Sequence, residues 1–377
     1  MIKRLGSKIK LFVFTILILI ITIEMLSFIA TKLNLLMVNE EPSYLYPSGD
    51  KWRTETMPWG SWHKPNFRDR HRKTCFDVEY ESNNLGARDN EPYDENLPKN
   101  SIILIGDSMA EGIGVNLENT FAEVLEKEIG RKVLNFASAA FFGPVQEEIL
   151  YRTLASRLPH NEMIYFFLPA NDFTDNDRRW WNSRFNKFRH RPYFRKIKNN
   201  EYEIFYPNEK VKSELLISLK SFIFYRLQML LTQYTYTANT LKTINRIYAK
   251  FTKKKDVVNI GISSGYGYFF DDHEAIDGSL YFSKKLLSEA SNLERRLVVI
   301  IPTPIDLDNM YSGKDYKNLK WYLDLKRISS QTNSILFDLA DHLKKEDRRG
   351  KIWHTCDGHW SIYGNSIIAK LIEKNFF

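Results

Sequence analysis

The chain has 377 residues, a hydrophobic share of 43%, 13 prolines and a formal net charge of +8. Such length and apolar content exclude a disordered chain and leave room for one large domain with insertions, or for two domains. The positive balance suits an anionic partner, but no zinc-finger spacing, Walker loop or RNA-recognition signature accompanies it, so no nucleic-acid partner is expected.

The first element is N-terminal. "MIKRLGSKIK" sets Lys3, Arg4, Lys8 and Lys10 ahead of the apolar run "LFVFTILILIITIEMLSFIATKLNLLMV". That run is long enough for a helix crossing a bilayer, which needs about 20 residues. The basic flank predicts a cytoplasmic N-terminus and an exported remainder. A cleaved signal peptide is the rival reading. Phe28 stands two positions before Ala30, so no small-x-small site lies at a suitable place. Residues 1–36 are therefore read as a basic tail and a retained signal-anchor. Glu24 interrupts the run, and it either faces a partner helix or sits near the hydrated outer interface.

Residues 37–98 are polar and read as a lead segment packing on the main domain, with "CFDVEYESNNLGARD" as an edge strand and turn. From residue 99 the pattern alternates. "SIILIG" is a compact strand, and "NTFAEVLEKEIG" has apolar residues at helical spacing. "KVLNFA" is a second strand, "PVQEEILYRTLASRL" a helix opened by Pro144, and "MIYFFLPAND" a third strand. Later come "YFSKKLLSEASNLERR" (helix), "LVVIIPTP" (strand), "NLKWYLDLKRISSQT" (helix), "SILFDLA" (strand) and the closing helix "WSIYGNSIIAKLIEK". This order predicts an α/β fold over 99–377, a three-layer α/β/α sandwich with a mainly parallel sheet.

A long insertion, 178–280, interrupts that domain. It opens "RRWWNSRFNKFRHRPYFRKIK" and contains the helix-like "KSELLISLKSFIFYRLQMLL". Two readings stand: a solvated cap whose aromatics pack on the sheet, or a surface lying near the bilayer or gripping an acidic polysaccharide. Cys75 and Cys356 are too few for a disulfide framework. They either pair with each other or stay as two buried thiols. No metal and no cofactor is expected.

In a parallel α/β sheet, active sites gather at the carboxyl ends of strands. Four stretches end there: Gly106-Asp107-Ser108, "NFASAAFFG" from Asn135 to Gly143, "PANDFTDN" with Asn171, and "CDGHWSIYG" with Asp357 and His359. Taken singly, each is ordinary turn or cap chemistry. As an ordered set they supply a serine, a base, an orienting acid and an amide donor. A neutral serine hydroxyl needs a base within hydrogen-bond reach. His359 supplies an imidazole that can take that proton and return it, and Asp357 can fix its tautomer.

The same blocks resemble the SGNH, or GDSL, hydrolases over about residues 80–375, outside the insertion. "NNLGARDNE", "IILIGDSMAEGIGV", "FAEVLEKEIGRKVLNFA", "PANDFTDN" and "DGHWSIYGNSIIAKLI" carry the resemblance. It implies Ser108 as nucleophile and oxyanion donor through its N–H, Asn171 as side-chain donor, His359 as base and Asp357 as its partner. Counting from Asn135, the family's oxyanion glycine falls on Ala140, and Gly143 matches a later glycine of that block. Pro169 replaces a usual glycine. Only Gly358 separates Asp357 from His359, a spacing that resembles the Asp-x-His-Trp order of SGNH-like acetyltransferases acting on exopolysaccharides. The expectation is a membrane-anchored serine esterase or O-acyltransferase, facing the periplasm or outside, acting on an acetyl or short-acyl ester of a carbohydrate or lipid. The alternative is a catalytically silent protein of the same fold that binds glycan or lipid.

Overall fold

A computed structural model describes residues 2–33, 35, 53–73, 75–139, 141–180, 191–198, 201–207, 227, 230–231, 234–252, 266–344, 346, 349–354 and 357–377. They form two compact units, 1–49 with 71–77 and 212–257, and 50–70 with 78–211 and 258–377.

The second unit is built on one five-stranded sheet. Its strands are β1 (Ile102–Ile105), β2 (Val133–Asn135), β3 (Glu162–Phe167), β4 (Arg295–Ile300) and β5 (Ile335–Asp338). They lie in the order β5-β4-β3-β1-β2, and every neighbouring pair is parallel. β1, β2 and β3 are buried along their whole length. Strands covered on both faces read as unbroken apolar runs, as "IILI" and "MIYFF" do. The chain moves from β1 out to β2, then returns past β1 to β3 and on to β5. Right-handed crossovers put the first connecting helix on one face and the next ones on the other. Phe121–Ile129 accordingly packs with the last helix, Ile362–Phe376, while Pro144–Thr153 and Lys320–Gln331 each pack on His273–Glu289. The result is the three-layer sandwich expected from the alternating elements. Its direction of travel reverses between β1 and β3, which opens a crevice at their carboxyl ends.

Several elements differ from their sequence reading. β3 stops at Phe167, and Pro169 opens the helix Pro169–Asp175, so "PAND" is helical and not strand. Proline fits there because the first helical amide has no intrahelical acceptor. Among the described residues, Phe76–Glu81 is a strand that pairs with Arg68–Lys73 in a two-stranded sheet. Trp62 stacks 6.4 Å from Phe136 in the core.

Within the insertion, His273–Glu289 already starts at His273, where Asp272 caps the amides of Glu274 and Ala275 at 3.0 and 3.1 Å. Tyr193–Lys196 and Tyr202–Phe205 form an antiparallel hairpin whose Phe194 stacks on Phe282. Arg179 pairs with Asp177, Asp272 and Glu274. These aromatic and basic side chains are thus used internally. Residues 181–190 and 208–226, with most of "KSELLISLKSFIFYRLQMLL", lie outside the described residues.

The first unit holds the apolar helix Ile2–Lys32 packed on Tyr236–Thr252. Lys8–Lys32 is long and apolar enough to cross a membrane, and only 6% of its most apolar window is buried. Its threonines Thr15, Thr22 and Thr31 each donate to the carbonyl four residues back, at 2.8–2.9 Å. That bond satisfies a hydroxyl without water. Cys75 is disulfide-bonded, and Cys356 lies outside the described residues.

Candidate active site

Strand β1 ends at Ile105, and the chain turns at once into the helix Ser108–Glu111. The turn is tight. A Cβ on Gly106 would stand 2.9 Å from Ala110 Cβ and 3.0 Å from Phe166 Cβ, so a side chain there would push the turn off the sheet. Asp107 caps the helix through Oδ1, which accepts from the Met109 amide at 2.9 Å. Its Oδ2 accepts from Asn171 Nδ2, also at 2.9 Å. Asn171 sits in the first turn of the helix after β3, so adjacent strands deliver Ser108 and Asn171 side by side at the reversal point.

The third contribution comes from the other end of the chain. Ser361 caps the last helix, accepting from the Gly364 amide at 3.2 Å. Gly364 packs so closely on the Ile352 carbonyl that a Cβ would collide with it. Trp360 is buried edge-on against Phe166, with ring centroids 5.6 Å apart. Asn365 Oδ1 accepts from the Phe121 amide at 2.9 Å and ties the helix to its neighbour. These contacts fix the loop before the helix. They place His359 Nε2 2.7 Å from Ser108 Oγ, although the two residues are 251 apart in sequence.

On its other side, His359 Nδ1 is hydrogen-bonded to Asp357 Oδ1. The same oxygen accepts from the His359 backbone amide at 3.1 Å. One intervening residue suffices because a single carboxylate oxygen takes both N–H groups. Asp357 is 5% exposed and His359 25%, so the carboxylate is shielded while the imidazole edge is open to solvent. With Nδ1–H donating to Asp357, Nε2 is free to accept the Ser108 proton. The arrangement is a hydroxyl–imidazole–carboxylate relay. It can generate a nucleophilic serine at neutral pH.

The sequence-derived oxyanion residues are dispersed differently. Ser108 is the first residue of its helix, where the amide has no acceptor within the helix. Asn171 gives one amide hydrogen to Asp107 and has a second. Gly143, by contrast, points its N–H at Gln146 Oε1 at 3.4 Å as the cap of Pro144–Thr153, which commits it to that helix. Ala140 lies outside the described residues. No group of three or more His, Cys, Asp or Glu side chains suited to a metal is present among the described residues.

Two buried features escaped the sequence reading. Glu111, at the end of the Ser108 helix, is fully buried with His63 Nε2 2.8 Å away and a hydrogen bond from Tyr80. This links the lead segment to the nucleophile turn. Behind the turn lie Asp107, Glu147 and Asp172, all buried. Burial pushes all three carboxyls up, and mutual repulsion among them raises Glu147 and Asp172 well above their ordinary range. "PVQEEIL" gives no sign of this, because Gln146, Glu147 and Glu148 are consecutive and all three are buried.

A raised carboxyl holds its proton in the folded state, so its stabilising effect is full below the unfolded pKa of about 4 and declines as pH rises toward the folded value. Glu147→Gln removes that penalty. Its melting temperature should exceed wild type by roughly 2–4 °C at pH 8, with the gain vanishing near pH 4. Melting curves at both pH values check this, and a gain independent of pH would contradict it.

No protein-family model and no curated protein matches the chain. Among solved structures it is similar to a lipase/acylhydrolase from Enterococcus faecalis, at 10% identity and TM-score 0.36 over 73% of this chain and 94% of that one. It is also similar to a member of the lipolytic G-D-S-L family from Veillonella parvula, at 10% identity and TM-score 0.35, covering 73% and 97%. A third is an acetylxylan esterase from Geobacillus stearothermophilus, at 11% identity and TM-score 0.36, covering 75% and 97%. Ser108 and Asn171 follow the carboxyl ends of β1 and β3, and His359 precedes the last helix, on a parallel-stranded α/β fold.

Proposed function

We propose that this chain is a serine esterase or O-acyltransferase that works through an acyl-Ser108 intermediate. The observation that carries the proposal is the 2.7 Å contact between Ser108 Oγ and His359 Nε2, with Asp357 on the opposite ring nitrogen. Ser108 Oγ attacks the carbonyl carbon of an ester and its proton passes to His359 Nε2. The tetrahedral oxyanion is held by the Ser108 amide and the second N–H of Asn171. As the C–O bond of the ester breaks, His359 returns the proton to the leaving alcohol and Ser108 keeps the acyl group. Water or a sugar hydroxyl then gives its proton to His359 and attacks the acyl carbon, and as the bond to Ser108 Oγ breaks His359 returns that proton to Oγ.

The substrate class is an acetyl or short-acyl ester on a carbohydrate or lipid. The Asp-x-His-Trp order of residues 357–360 supports acyl transfer to a sugar. The apolar run 8–32, with its basic N-terminal flank, supports a retained anchor with the catalytic domain on the periplasmic or outer side. Acyl release measured with and without a sugar acceptor tests the reaction. A transferase gives acceptor-dependent product and little release alone, a hydrolase gives release in both, and a folded protein that does neither overturns the proposal.

The oxyanion assignment has its own test. Asn171→Ala should lower kcat by about 10²–10³-fold, the usual cost of one lost donor. Its melting temperature should fall by only a few degrees, since the loss is one part-buried hydrogen bond to the buried Asp107 Oδ2. A collapse of thermal stability with turnover per folded molecule unchanged would make Asn171 structural.

A further inference from the structure

Glu24 lies within the apolar helix Ile2–Lys32, where an unpaired carboxylate would be costly in hydrocarbon. Its oxygens accept from the Tyr236 amide at 2.6 Å, the Thr237 amide at 3.0 Å and the Thr237 hydroxyl at 2.7 Å. The next amide, of Ala238, donates to Thr235 Oγ1 at 3.2 Å. Thr235 itself gives both its N–H and its hydroxyl to the Leu231 carbonyl. Every early amide of the helix Tyr236–Thr252 is therefore bonded to a protein side chain. A helix start in water can leave such donors to solvent, whereas one at membrane depth cannot.

The two helices meet through small polar and aromatic side chains. Ser27 and Thr31, one and two turns beyond Glu24, are buried, as are Asn239, Thr240 and Thr243 one and two turns beyond the cap. Phe28 packs edge-on against Tyr236 at 5.1 Å. Small interfacial residues of this kind let helices approach closely in lipid.

The position of Glu24 sets a depth. It precedes Lys32, the charged end of the apolar stretch, by eight residues (32 − 24). At 1.5 Å per residue that is about 12 Å below the end. The start of the capped helix is thus inside the leaflet next to Lys32. The described residues of the same segment turn apolar side chains outward: Leu227, Leu230, Leu231, Tyr234, Leu241 and Ile244, each 44–54% exposed. Leu241 and Ile244 stand three residues apart on the helix Tyr236–Thr252, and Tyr234 lies seven residues, about two helical turns, before Leu241. This stripe belongs to the same unit as the apolar helix, whose own surface is exposed along its length.

We propose that residues 234–244 belong to a second membrane-embedded element, with Leu227, Leu230 and Leu231 in the same leaflet. The element lies in the leaflet on the C-terminal side of the span, opens its helix after Thr235, and turns its Leu and Ile side chains to lipid acyl chains. Glu24 docks it to the span. The proposal rests on reading residues 8–32 as a span.

The test uses the full-length protein in phosphatidylcholine/phosphatidylglycerol vesicles, kept oxidised so that the native disulfide stays unreactive. Single cysteines at Leu241, Ile244, Ile18 and the exposed domain residue Lys314 carry an environment-sensitive fluorophore. Labels at 241, 244 and 18 should be quenched by doxyl lipids and protected from aqueous iodide, with the reverse at 314. Glu24→Leu should raise iodide quenching at 241 several-fold without changing 18, and Glu24→Gln, which keeps an acceptor, should raise it less. Iodide access at 241 and 244 with 18 protected would overturn the proposal while leaving the span. Iodide access at 18 would overturn the span itself. Labels at 241 and 244 shielded from both quenchers in a protein-concentration-dependent way would make a second copy the occupant, and also overturn it.

Discussion

Replacing His359 with alanine should lower kcat/KM for ester cleavage by roughly 10⁴-fold, while His354→Ala stays within an order of magnitude of wild type. Both histidines lie in "WHTCDGHW", and sequence position alone does not separate them. Geometry does. His359 Nε2 is 2.7 Å from the Ser108 hydroxyl. His354 is tied to the same loop through its backbone amide, which donates to the His359 carbonyl at 2.9 Å, a bond that alanine keeps. Without His359 the serine stays neutral at pH 7, and only binding and oxyanion stabilisation remain. Initial rates on a chromogenic acetyl ester, with melting temperatures to confirm folding, decide the matter. Equal losses in the two variants would remove His359 as the base.

The second large effect concerns the acid. Asp357→Asn should leave the loop in place yet reduce kcat by about 10⁴-fold. An asparagine amide can donate to Nδ1, which would put the ring proton on Nε2 and leave no acceptor for Ser108. The same Asp357 oxygen holds the His359 backbone amide, so an asparagine turned to donate to Nδ1 also gives up that bond, which adds to the loss. If Asp357→Asn lost only a few-fold while Ser108→Ala was inactive, another group would have to orient His359.

The sandwich was legible because burial on both faces writes itself as continuous apolar runs such as "IILI", and because strands and helices alternate. The site was legible as four strand-end blocks whose order matters more than any one of them. Boundaries were less so: "MIYFFLPAND" reads as one strand, but the proline at its end starts a helix, and that places Asn171 on a rigid first turn. Gly143 aligns with a later glycine of the second block, and its amide donates to Gln146 Oε1 three residues on. The His63–Glu111 pair and the carboxyls Asp107, Glu147 and Asp172 were invisible, since polar groups that meet through tertiary packing leave no periodic mark. Glu24 offered only a choice between a partner helix and hydration, and the structure answers with the amides of Tyr236 and Thr237.

Everything depends on Ser108 being a true nucleophile. A fluorophosphonate should add one covalent label to the folded, full-length protein, located on Ser108 by peptide mass and lost in both Ser108→Ala and His359→Ala. A protein that is folded by its melting curve yet takes no label, or carries it on a different serine, would contradict the account.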